Sequence, residues 1–280
     1  MAPSTFPPIG TSAAPALCLD CLQFARQVFA ADLARWFDSA AMISITRQAQ
    51  QMLQPEVLVL PLLDWLREKW RVERGDLPRA SRPAKAIKQV LDDEATRIAL
   101  VDLLAALASV TGSRSVLALD VAPLEQWLQW AGQDPDAALD ETDAEDLCVY
   151  LAALFNHLPA ATLGGLCLQM ERPIDGDRDL VFEPLINTAR HFGWPVLAAG
   201  PERSTLPQGC AAYASAQPQA GEGWFMAAGE WNAPGASKRE AAFLFSTLPP
   251  NCPPAQALKS LGILREGGAT TLTGDHDEAI

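Results

Sequence analysis

An α/β fold is predicted by three observations: apolar runs of strand length recur along the chain, helix-period stretches separate most of them, and Gly and Pro punctuate the joins. The strand-like runs are MISIT (42–46), EVLVLP (56–61), SVLALD (115–120), GGLCLQM (164–170), PVLAAG (195–200), CAAYASA (210–216), WFMAAGEW (224–231) and AFLFSTL (242–248). Eight is the number that a TIM-like (β/α) barrel needs. One join resists closure: QPQAGEG (217–223) suits a hairpin and is too short for a crossover helix, so the expected barrel is incomplete or irregular on that side. The alternative is an open doubly wound sheet, although no glycine-rich phosphate loop follows any strand.

Along the chain, residues 1–16 read as a disordered Pro/Ser/Ala-rich tail with neither the basic start nor the apolar core of a secretory signal. Residues 17–39 repeat apolar side chains every three or four positions and read as an amphipathic helix. DWLREKWRVERG (64–75) reads as a helix ending at Gly75, and the basic, Pro-bearing DLPRASRPAKA (76–86) as an exposed loop. Residues 92–110 form a long expected helix with acidic residues in its first turn, where the helix dipole favours them. APLEQWLQWAG, LCVYLAALFNHLP and FEPLINTARHFG supply the later helices, and the acidic DPDAALDETDAED (134–146) a loop. The expected organisation is one α/β domain over 17–265, with an N-terminal helical part (17–110), a strand-helix part (115–265) and a flexible tail at 266–280.

Composition narrows the function classes. A formal charge of −13 with a pI near 4.6 opposes nucleic acid and anionic membrane surfaces as partners. No apolar run reaches the length of a spanning helix, and the six dispersed cysteines read as buried thiols of a reducing compartment, so a cytoplasmic protein is expected. CLDC (18–21) has the spacing of a redox or zinc motif, but with no second pair it reads as packing on one helix face. Walker, Rossmann and G-x-S-x-G signatures are absent, and no cofactor is expected.

In a parallel barrel, chemistry gathers where strands end at their carboxyl termini. The polar residues just beyond the expected strands include Arg47, Asp64, Asp120, Glu171 with Arg172, Glu202 with Arg203, Gln217, Glu230, and Ser246 with Thr247. Asp64, Asp120 and Glu171 are the candidate catalytic acids and bases, because several carboxylates facing one mouth can hold their protons at different pH. Arg47 and Arg172 are the candidates for holding a substrate carboxylate.

The succession EVLVLPLLD, WLREKW, DLPRASRP, helix 92–110, SVLALD, then GGLCLQMERP, EPLINTARHFGWPVLAAG and FLFSTLPPNCPPAQALKSLG, resembles the uroporphyrinogen decarboxylase and cobalamin-independent methionine synthase superfamily of barrels over roughly residues 40–265. The resemblance implies a decarboxylase- or methyltransferase-type enzyme acting on a small organic acid or thiol. Of the arginine-rich signature of the decarboxylases only ITRQAQQ, with Arg47, stands near the matching place, and the His-x-Cys zinc pair of the synthases does not occur. Cys167, Glu171, His191 and Cys252 can be written as a zinc set, with Cys252 in LPPNCPPA the most exposed thiol, but their spacing is not that of paired ligands and no metal is expected. The missing signatures leave a second reading: a non-catalytic barrel kept as an accessory subunit, docking a basic protein partner through the acidic loop 134–146.

Overall fold

The computed structural model describes residues 15–30, 35–111, 115–172, 178–232 and 241–266. Eight parallel strands close into a barrel in sequence order, so the open-sheet alternative falls. The strands are β1 (Ala16–Asp20), β2 (Val57–Pro61), β3 (Val116–Val121), β4 (Gly165–Gln169), β5 (Val196–Ala199), β6 (Ala212–Ser215), β7 (Gly223–Met226) and β8 (Phe243–Thr247). Five residue pairs, from Ala16 beside Phe243 to Asp20 beside Thr247, join the first strand to the last.

The first strand is not the expected one. ALCLD forms β1, followed by a helix, α1, over only Leu22–Phe29, where the sequence suggested one helix over 17–39. A barrel strand is buried on both faces, so its apolar residues lack strict alternation and merge with those of a following helix. MISIT, expected as a strand, lies inside helix α2 (Ser39–Leu53), which buries Met42, Ile45, Thr46, Ala49 and Leu53 at helical spacing. The part expected to be helical, 17–110, therefore contributes two strands to the ring, β1 and β2.

Three helices link β2 to β3: α3 (Leu62–Glu73), α4 (Pro83–Leu91) and α5 (Glu94–Thr111). Gly75, at φ 83°, ends the α3 region as expected, and Pro83 opens α4, so the loop expected over 76–86 stops at residue 82. Helix α6 (Leu124–Trp130) follows β3, then α7 (Glu141–Phe155), α8 (Arg178–His191) after β4, and α9 (Pro254–Glu266) after β8. The second half of the acidic segment is thus the first turn of α7: Asp140 caps it, accepting from the Asp143 N–H at 2.9 Å. Of the expected tails, Ala16 opens β1 and Glu266 closes α9; residues 1–14 and 267–280 lie outside the described residues.

No hairpin forms at QPQAGEG. β6 and β7 run parallel, Ala214 beside Gly223 and Ser215 beside Trp224, across a seven-residue connection with no helix. The predicted irregularity survives as a thin outer shell: β5 and β6 are joined through a single 3-10 turn, Arg203–Thr205. Inside the ring, Ala16, Cys18, Val57, Val59, Ala118, Cys167, Leu197, Ala199, Ala214, Phe243 and Phe245 form a separate apolar core, while a larger one lies between strands and helices. Alternation along the strands then directs Asp20, above Ala16 and Cys18, Asp120, above Ala118, and Gln169, above Cys167, into the barrel at its carboxyl end.

Candidate active site at the barrel mouth

Asp20 is the last residue of β1, and only 5% of it is exposed. Its Oδ1 accepts from the Leu22 N–H at 3.3 Å. Burial pushes its carboxyl up to about 7, the Asp64 charge adds to the rise, and the Leu22 N–H partly offsets both. Asp120, next to last in β3, is 1% exposed. The side-chain amide of Gln169, from β4, donates through Nε2 to Asp120 Oδ2 at 2.9 Å, while Asp120 Oδ1 is buried without a hydrogen-bond partner among the described residues. Burial, then the charge of Asp20, hold this carboxyl well above the ordinary range; the Gln169 bond opposes them and Asp64 adds to them. Asp64 enters from the first turn of α3, where its Oδ2 accepts from Gln23 Nε2 at 3.0 Å.

Around this acidic centre runs a rim of longer side chains. Arg67, one turn beyond Asp64, donates through Nη2 to the Gln126 carbonyl, and burial lowers its guanidinium pKa despite the Asp64 charge. Gln126 Nε2 donates to Glu171 Oε2 at 3.3 Å. Burial raises the carboxyl of Glu125, with Glu171 adding to the rise and Arg172 opposing it. The mouth is therefore a deep set of three carboxyls and an amide beneath a rim that carries charges of both signs. A carboxyl raised well above the ordinary range, with a second one raised to about 7 at the same mouth, is suited to donate and recover a proton.

Of the residues expected from sequence, Asp64 and Asp120 belong to the deep set. Glu171 and Arg172 stand exposed on the rim, Arg172 Nη1 donating to the Pro135 carbonyl at 3.4 Å. Arg47 does not join them: it lies exposed within α2, on the outer helical layer, because the run before it is helix and not strand. The rim arginine that sequence reasoning passed over is Arg67. Asp20 was also missed, hidden in the stretch read as helix; its signal is the near-identity of ALCLD with VLALD, two small-and-apolar runs that each lead into an Asp.

The zinc set does not assemble. Cys167 is inside the barrel, His191 ends α8 and Glu171 is on the rim just after β4; among the described residues no three His, Cys, Asp or Glu side chains are arranged to hold a metal. Cys252, expected to be exposed, is buried. Cys18 and Cys21 do pack in the core, but on opposite sides of the strand wall rather than on one helix face. Other strand-end candidates serve the fold: Ser246 Oγ donates to the Met226 carbonyl at 2.8 Å and accepts from Trp231 Nε1 at 2.9 Å, and Arg203 stacks on Tyr213 while pairing with Glu222 at 2.9 Å. A surface groove lined by Pro78, Arg79, Arg82 and Trp130 includes none of the mouth residues, and its Arg82 already faces Asp143 and Asp146.

The fold is that of a TIM-like α/β barrel. No protein-family model matches the chain, and no curated protein matches it.

Proposed function

We propose that the chain is a barrel enzyme that acts on a small organic acid by proton transfer at the strand-carboxyl mouth, in the manner of a decarboxylase. The observation that carries the reading is the pair of buried carboxyls at the mouth: Asp120, anchored by Gln169 and pushed well above the ordinary range by burial, and Asp20, pushed up to about 7. In such a reaction the bond between the substrate carbon and its carboxylate breaks, carbon dioxide leaves, and the electron pair stays on carbon. That carbon takes the proton of Asp120, which is restored from water through Asp20. Arg67 and Arg172 are the cations at the rim able to meet a carboxylate, replacing Arg47 in that role. A thiol methyltransferase of the zinc type has less support, because its donor set does not converge.

The accessory reading rests on the acidic segment. Arg82 faces Asp143 and Asp146, and Asp140 caps α7, which leaves Asp134, Asp136, Glu141 and Glu145 exposed for a basic partner. Those are four of the seven carboxylates on which the reading depends.

The test is a panel of small carboxylic acids incubated in deuterium oxide, with carbon dioxide release and deuterium at the vacated carbon as readouts. Turnover of one acid is expected, with Asp120→Asn and Asp20→Asn each lowering it by roughly 10²-fold or more, the usual share of general acid–base catalysis. Turnover that survives both substitutions in folded protein would remove the proposed chemistry.

A further inference from the structure

We infer that Gln169 is a positioning residue that fixes the proton of Asp120 on Oδ1, so that the carboxyl presents an O–H donor to the barrel axis and calls for a hydrogen-bond acceptor on the ligand. The inference deepens the proton-transfer reading of the mouth and rests on it.

The argument is one of satisfied and unsatisfied atoms. A neutral carboxyl has one carbonyl oxygen, which accepts, and one hydroxyl, which donates. Gln169 Nε2 can only donate, so at 2.9 Å it claims Oδ2 as the accepting oxygen. The hydroxyl then falls to Oδ1, the buried atom that has no hydrogen-bond partner among the described residues. Among the described residues, both charges that act on this carboxyl favour keeping the proton: Asp20 from β1 and Asp64 from α3 are carboxylates. Cys167 from β4, and Cys18 from β1 beside it, are thiols kept protonated by burial and supply no positive charge. A donor left without an acceptor in a buried site costs free energy unless a ligand completes it. The matching group is a carbonyl or carboxylate oxygen, or the electron-rich carbon that decarboxylation leaves behind.

Gln169 stands where the geometry needs it, as the last residue of β4, above Cys167, whose register partner on β3 is Asp120. A strand end is among the more rigid places to mount a side chain, and an amide anchors the carboxyl without adding charge.

The test is infrared spectroscopy of the full chain with carboxyl-labelled aspartate, titrated across pH without any ligand. A protonated-carboxyl band that persists at pH 8 is expected, and its loss in Asp120→Asn assigns it. Gln169→Met keeps the length of the side chain and removes the N–H. If Gln169 donates to Oδ2, the substitution weakens the carboxylate form and shifts the midpoint of the band to higher pH, with the carbonyl stretch moving to higher wavenumber. An unchanged midpoint would mean that Gln169 only fills space, and a lower one that it accepts the Asp120 proton; either overturns the inference. The wild-type titration stands by itself should a variant fail to fold, since the absence of any protonated-carboxyl band at pH 8 also overturns it. The spectrum is independent of turnover. The expected shifts in a chain that turns over no organic acid would defeat the enzyme reading alone, whereas turnover lost in Asp120→Asn with an unmoved midpoint in Gln169→Met would defeat this inference alone.

Discussion

Asp20 loses water on folding, and the strongest charge acting on it is another carboxylate, Asp64. This has a definite consequence for stability against pH. The unfolded chain sheds the Asp20 proton near the ordinary aspartate value of about 3.9, while the folded chain keeps it until about 7. A raised carboxyl therefore contributes stability fully below the unfolded value, and that contribution is lost as pH rises to the folded one. Asp20→Asn should stabilise the fold at pH 8, by at most about 4 kcal/mol on the scale of 1.36 kcal/mol per pKa unit, and the gain should shrink steadily as pH is lowered to 5. Its Oδ1 can still accept from the Leu22 N–H, so the comparison isolates the charge. Urea midpoints of the two proteins at several pH values provide the check, and a variant less stable at pH 8 would mean that the fold favours the Asp20 carboxylate and that its folded value is not raised. A mouth that lowers stability in order to keep protons is the kind of strain expected at a functional site.

At the scale of elements, the side of the barrel with the thinnest shell depends on a close approach. A Cβ on Gly223, the first residue of β7, would stand 2.2 Å from the Phe243 ring, which is itself buried on β8. Gly223→Ala should cost roughly 1–3 kcal/mol, the usual range for overpacking a core, read as a lower denaturant midpoint. An unchanged midpoint would mean that the ring moves freely inside the barrel. The same elements explain what was legible beforehand. β2 to β8 were readable because each is a short apolar run bounded by turn residues. β1 was not, because a strand buried on both faces runs without a break into α1 and shares its apolar spacing. MISIT misled in the opposite sense, its branched residues suggesting a strand where burial of Met42, Ile45, Ala49 and Leu53 selects helix. Asp64 and Asp120 were found as strand-end residues. Asp20 and Arg67 required the three-dimensional ring, since nothing in linear spacing brings β1, α3, β3 and β4 to one mouth.

At the scale of the molecule, a net charge of −13 makes the compact chain repel itself, and the ion pairs among the described residues offset this only locally. Several of them join residues three or four apart on one turn of chain: Arg35 with Asp38, Lys69 with Glu73, Arg71 with Glu68 and Lys88 with Asp92. Pairs of this kind are worth a few tenths of a kcal/mol each when exposed, so screening them removes little. Screening the excess of carboxylates removes more, because their repulsion acts throughout the folded surface and is relieved as the chain expands. The two effects have opposite signs, and the larger one decides the outcome: raising sodium chloride from about 10 mM, where charges interact across roughly 30 Å, to 150 mM, where they do so across about 8 Å, should raise the Tm at pH 8. Near the pI of about 4.6 the net charge vanishes, and with it the repulsive term, so added salt should there leave the Tm unchanged or lower it as the ion pairs are screened. A Tm that falls with salt at pH 8 would show that the pairs outweigh the net charge.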